Sequence, residues 1–288
     1  MRSLLFVPAH DARKLTKGLQ SGADALILDL EDAVPEADKT RARGMCAEFV
    51  AEHQARLPLI VRVNAASTGL LLDDLAAVVR SRPYGIMLPK CGGSADLALV
   101  DAYLSALEAR DGIEKGTLRV LPIVTETAAA MLQMGSYSAP SPRLCGMLWG
   151  GEDLAADIGA VTNKDEHRAY TAPYVLARTL TLLGAAAAQV AAVDAVYTNF
   201  RDPDGLREES ARALRDGFSG KAAIHPDQVP VINAAFTPSE QDVARAHEVI
   251  AAFNAQPHAG AISLHGQMLD RPHYRSAQRV LARVQTRS

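Results

Sequence analysis

Short apolar runs alternate along the chain with longer Ala-rich segments whose apolar residues recur at helical spacing. That alternation predicts repeated βα units on a parallel sheet. Strands are expected at "SLLFVP", "ALILDLED", "LIVRVN", "GIMLPK", "VLPIVTE", "LCGMLWGGED", "DAVYT" and "AAIH". Eight strands of this kind predict an α/β fold, a (β/α)8 TIM barrel. Helices are predicted between them over residues 11–21, 36–54, 70–81, 95–110, 127–134, 166–188, 205–216 and 227–235. The barrel is expected to occupy residues 1–236 and a C-terminal extension residues 237–288. In that extension Ser239 sits at an N-cap position, a Gly-containing irregular or hairpin stretch follows, and a basic helix ends the chain.

Active groups of such barrels sit at the C-terminal strand ends, where the loops form the mouth. The polar residues obey that rule: Asp29, Glu31 and Asp32 close the second strand, Arg62 and Asn64 the third, Lys90 the fourth, Glu126 the fifth, Glu152 and Asp153 the sixth, and His225 the eighth. Solubility alone would scatter them over helices, so one polar pocket is predicted. Strand alternation places Asp29 and Glu31 on one face and Asp32 on the other. Asp29 or Asp32 could equally cap the next helix or pair with Arg62. Lys90 in "LPKCGG" reads as a solvated strand end, and the glycines beside it as a turn. His225 is either a structural histidine before Pro226 or a ligand contact, and Trp149 is expected to pack beneath the sixth loop.

Glu126 and Asp153, on adjacent strand ends without a Cys or His cluster, suit a hard divalent cation, with Mg2+ the default. The alternative is a general acid and base pair, as in glycosidases. Composition weighs against it, because only 5% of residues are aromatic and sugar sites need aromatic platforms. The net charge of −3 and the scattered Lys and Arg residues argue against a nucleic-acid partner. The apolar part of "MRSLLFVPAHDARK" is too short to span a membrane, and no export signal is visible. Three separated cysteines, Cys46, Cys91 and Cys145, suit free thiols in a reducing compartment, so a cytoplasmic enzyme acting on a small molecule is expected.

The ordered motifs "RSLLFVPA", "LDLEDAV", "VRVN", "LPK", "TETA", "GGEDLAADIG", "GFSGKAAIHPDQ", "FTPS" and "GQMLDRPH" resemble the citrate lyase β-subunit-like family of the HpcH/HpaI aldolase superfamily, from residue 2 to about 284. The resemblance implies a trimeric or hexameric barrel that uses Mg2+ to cleave or form a carbon–carbon bond in a 3-hydroxyacyl thioester such as malyl-CoA, citramalyl-CoA or citryl on an acyl carrier protein. It matches Glu126 and Asp153 to metal ligands and Arg62 to the arginine that holds the substrate or its enolate oxygen. Asp270 resembles the acid/base aspartate, which in relatives comes from a neighbouring subunit; its plainer role is to cap the last helix. Phe6, Arg13, Lys17, the stretch from Asp38 and Lys39 to Arg43, and Ile224 with His225 match coenzyme A thioester contacts. Glu31 or Asp32 is expected to orient metal-bound water or Arg62, with Asp29 more structural. His10 departs from the smaller polar residue common there. Three other readings stay open: a β subunit working only inside a citrate lyase complex, a metal aldolase for free 2-oxoacids, and a silent barrel that only binds.

Overall fold

The computed structural model describes residues 1–138 and 141–285. Eight parallel strands form one sheet: β1 (Ser3–Pro8), β2 (Ala25–Asp29), β3 (Leu59–Arg62), β4 (Gly85–Leu88), β5 (Arg119–Pro122), β6 (Gly146–Leu148), β7 (Ala191–Asp194) and β8 (Gly220–Ala223). They lie in the order β5-β4-β3-β2-β1-β8-β7-β6. The edges β5 and β6 meet through isolated parallel bridges at Val120–Leu144 and Ile123–Leu148, and this seam closes the barrel. Its interior is filled by alternate residues of the strands, among them Leu4, Ile27, Ile60, Met87, Leu121, Ile123, Leu148, Val193 and Ala222.

The helices are α1 (Ala12–Leu19), α2 (Lys39–His53), α3 (Leu71–Val78), α4 (Ser94–Arg110), α5 (Ala128–Leu132), α6 (Glu152–Asp157), α7 (Ala172–Ala187), α8 (Pro203–Asp216), α9 (Gln228–Phe236), α10 (Glu240–Asn254) and α11 (Arg271–Gln285). Several expected boundaries move, and the seventh strand is Ala191–Asp194, overlapping the expected "DAVYT" only at Asp194. The sixth strand is only Gly146–Leu148, because Gly150 and Gly151 turn the chain and Glu152 and Asp153 open the short helix α6. The helix expected over 166–188 begins at Ala172, with Pro173 in its first turn, where the missing N–H costs nothing. The eighth strand lies slightly earlier than "AAIH", taking in Lys221 and ending at Ala223.

The chain divides into two compact units, Met1–Asn233 and Ala234–Ser288. In the second, Ser239 and Asp242 form a reciprocal capping box on α10. Strands β9 (Ala261–Leu264) and β10 (Gln267–Asp270) pair antiparallel across His265 and Gly266, both at positive φ as a two-residue hairpin turn requires. Ala246, Val249, Phe253, Ile262, Leu269 and Ala277 make this unit's own small core.

Candidate active site

The sheet register sets the centre of the site. Asp29 and Arg62 are direct partners across β2 and β3, and they form a two-pronged ion pair, Arg62 Nε to Asp29 Oδ1 at 2.8 Å and Nη2 to Oδ2 at 2.6 Å. The chain leaves the strand after Asp29, so strand alternation does not carry on to Glu31 and Asp32. Instead Asp29 accepts the backbone N–H groups of Glu31 and Ala33, and this turn brings all three acids toward one guanidinium. Arg62 Nη1 lies 2.9 Å from Glu31 Oε2 and 3.5 Å from the exposed Asp32. Burial works against the Arg62 charge, but these carboxylates outweigh it and raise its pKa. The guanidinium also lies over the Phe6 ring, 4.9 Å from the centroid.

Lys90 is not the solvated strand end expected of it. Its backbone turns at positive φ, aiming the N–H at Glu126 Oε2, and its ammonium lies 2.7 Å from Glu31 and 3.2 Å from Asp153. Desolvation opposes the charge, yet the Glu31 hydrogen bond and the nearby Glu126 and Asp153 raise its pKa. Glu126 is 3% exposed. Burial, reinforced by Asp153 and Glu31 and only partly opposed by the Lys90 N–H, pushes its carboxyl up to about 8. A carboxylate so poorly supplied with positive charge suits a cation. Asp153 comes to the same cavity from the first turn of α6, which is tied down by Asn163 Nδ2 on Glu152 at 2.8 Å and by the Ala128 N–H on Asp157 at 2.7 Å. Thr125 Oγ1 accepts from the Gly150 N–H at 3.0 Å, fixing the two-glycine turn on the end of the fifth strand segment.

Phe6, Asp29, Asp32, Arg62, Glu126 and Asp153 border a cavity of about 460 Å³, with Ile123, Leu148, Ala195 and Val196 as its apolar wall. Among the described residues no group of three or more His, Cys, Asp or Glu residues could hold a metal ion. Glu126 and Asp153 could offer two oxygen ligands and leave the others to water or substrate, a donor set that suits Mg2+.

The profile of the HpcH/HpaI aldolase/citrate lyase family matches residues 2–226. The chain belongs to that family. As an HpcH/HpaI aldolase/citrate lyase member it is 34% identical to mouse (Mus musculus) mitochondrial citramalyl-CoA lyase, over 97% of this chain and 85% of that one. It is 35% identical to a (3S)-malyl-CoA thioesterase of Cereibacter sphaeroides, over 99% and 94%. The crystal structure of CitE from Mycobacterium tuberculosis with magnesium, acetoacetate and coenzyme A superposes with a TM-score of 0.78 at 33% identity, covering 98% of this chain and 97% of that one.

The residues matched to coenzyme A contacts divide into two groups. Arg13 and Lys17 are exposed on α1, and Ile224 borders the cavity. His225 stacks on Phe200, centroids 4.9 Å apart, an aromatic partner that its place after the eighth strand did not suggest. Asp38 is taken up by Arg41 at 3.0 Å. Two others point the wrong way for a ligand. Lys39 is buried and gives its ammonium to Leu30 O, Glu31 O and Asn64 Oδ1, each at 2.7 Å. Arg43 binds the fully buried Asp74 through Nε at 2.6 Å. Lys39 ties the turn that carries Glu31 to Asn64 just beyond Arg62, and Asp74 of α3, held by Arg43, accepts the Asn64 N–H. Asp270, in the second unit, ends β10 with its carboxylate 2.6 Å from His273 Nδ1. Trp149 is buried and borders the cavity, its indole N–H donating to Asp194 at 2.7 Å.

Proposed function

We propose that this enzyme is a Mg2+-dependent carbon–carbon lyase that cleaves a 3-hydroxyacyl-CoA, malyl-CoA or citramalyl-CoA, to acetyl-CoA and a 2-oxoacid. The observation that carries the reading is the opposition, around one cavity, of the Glu126–Asp153 pair and a buried Arg62 fork. Mg2+ held by Glu126 and Asp153 supplies a Lewis acid for the substrate's hydroxyl and carboxylate oxygens. Arg62 stays protonated beside developing negative charge, and its fork is held by Asp29, so it can stabilise an enolate oxygen without reorganising. Lys90 balances Glu31 and Asp153 beside the cavity. The wall of Ile123, Leu148 and Val196 suits a hydrogen or methyl on the departing 2-oxoacid, and Arg62 is the one cationic side chain on the lining. That apolar wall favours malyl and citramalyl thioesters over citryl on a carrier protein, whose further carboxylate it would have to take. Asp270 supplies the proton to the enolate carbon from a neighbouring subunit's second unit, so the active form is a homo-oligomer, trimer or hexamer, in the cytoplasm.

The test is release of 2-oxoacid by the purified protein from a panel of malyl-, citramalyl- and citryl-CoA, with Mg2+ and with EDTA. Mg2+-dependent release from one of the first two is expected. No release from any thioester at saturating Mg2+ would overturn the assignment.

A further inference from the structure

Between the barrel and its helices lies a buried ion cluster that the proposed chemistry leaves unused. Val193 and Ala222 belong to the barrel interior, so their strand neighbours Asp194 and Lys221 face outward toward α7 and α8. Lys221 is fully buried, its ammonium 2.7 Å from Asp194 Oδ2 and 2.8 Å from Glu209 Oε1 on α8. Arg178 of α7 approaches Asp194 at 3.3 Å. Taking such charges out of water is costly, and each is retained only with its partners in place.

The cluster has two outlets, and both lead to the cavity. Through Asp194 it holds the Trp149 indole. Through Glu209 Oε2 it holds Lys164 at 2.7 Å, on the segment 159–171 that joins α6 to α7. That segment is folded on itself by a Lys164–Tyr170 bridge. The Lys164 ammonium lies 4.4 Å from the Tyr170 ring centroid, and Tyr170 meets Trp149 edge to face at 5.1 Å. Asn163 of the same segment borders the cavity and donates to Glu152, the neighbour of Asp153. One ion pair therefore supports an aromatic wall and the helix that presents a proposed metal ligand.

We infer that Lys164 and Glu209 are positioning residues for the acyl end of the active site, their ion pair holding segment 159–171 so that Trp149, Tyr170 and Asn163 keep the wall and α6 in place. The inference rests on the lyase reading for its kinetic consequence but not for its structural one. Lys164 is the residue to change, because it is partly exposed and its loss leaves Lys221 to neutralise Glu209 and Asp194.

Trp149 is the only tryptophan in the chain, so emission excited selectively at tryptophan, away from tyrosine absorption, reports this wall alone. In substrate-free Lys164→Met, emission shifts to the red and acrylamide quenching increases. KM for the thioester that the wild type cleaves rises about fivefold, because apparent affinity falls with the fraction of molecules whose segment 159–171 is held in place, while kcat at saturation stays within about twofold. Lys164→Arg restores both. Wild-type emission with wild-type KM overturns the inference, and so does a fall in kcat at unchanged KM or a failure of Lys164→Arg to rescue. If the wild type cleaves no thioester, the lyase reading fails and the emission and quenching measurements still decide this one.

Discussion

Gly150→Ala adds a single methyl group and no charge, which makes it a clean probe of the Glu126 carboxylate. A Cβ at Gly150 would stand 2.7 Å from Glu126 Cγ, 3.2 Å from Ile123 Cγ2 and 3.3 Å from Glu126 Oε1. Ordinary contact begins at about 3.4 Å, so the Glu126 side chain must retreat by roughly 0.7 Å. It has little freedom to do so, being buried with Oε2 held by the Lys90 N–H. Overpacking of this size costs about 1–3 kcal/mol, which for a chain of this length lowers Tm by several degrees, at roughly 2–4 °C per kcal/mol. The effect on metal binding is larger, because Mg2+ tolerates little deviation from octahedral geometry at about 2.1 Å. The apparent Mg2+ affinity should fall by about tenfold or more. Calorimetric Mg2+ titration beside a thermal melt separates the two effects. A variant with wild-type Mg2+ affinity and the same loss of Tm would refute the placement of Glu126 as a ligand.

Two further outcomes are expected. Co-expressing Asp270→Ala with Glu126→Ala should recover about a quarter of wild-type activity if every site takes Asp270 from its neighbour and subunits mix at random; assay of the purified mixed oligomers showing none would mean that each chain completes its own site. Asp194 is buried and desolvation opposes its charge, yet Lys221, Arg178 and the Trp149 indole hold its pKa below normal. Its stabilisation is therefore complete above the unfolded carboxyl pKa of about 4 and is lost as pH falls through the lower folded value. Trp149 emission should stay constant from neutral pH down to about 4 and shift to the red only below it, and a transition centred near neutrality would contradict the cluster.

Much of the fold was legible because the barrel strands are short apolar runs with clear punctuation; Ser3–Pro8 falls on "SLLFVP" with both its ends. Reading failed where backbone turns override periodicity. Gly150 and Gly151 convert the expected strand end at Asp153 into a helix start, and positive φ at Lys90 turns a supposed surface lysine inward. In the site, Asp29 and Arg62 could be found from their places at strand ends, whereas Glu31, Asp32 and Asp153 lie on the segments beyond them. Lys39 and Arg43 could not be told from ligand contacts, because their partners Asn64 and Asp74 lie a strand away. Lys221, Glu209 and Lys164 are distant in sequence and converge only in the folded chain.

The barrel seam has a mechanical consequence. Glu126 follows β5 and Asp153 follows β6, the two staves joined only by isolated bridges. On the proposed reading, an ion held by both carboxylates would act as a hoop across this seam, so filling the site and tightening the barrel would become one event, and local breathing of the metal-free protein should concentrate along that line.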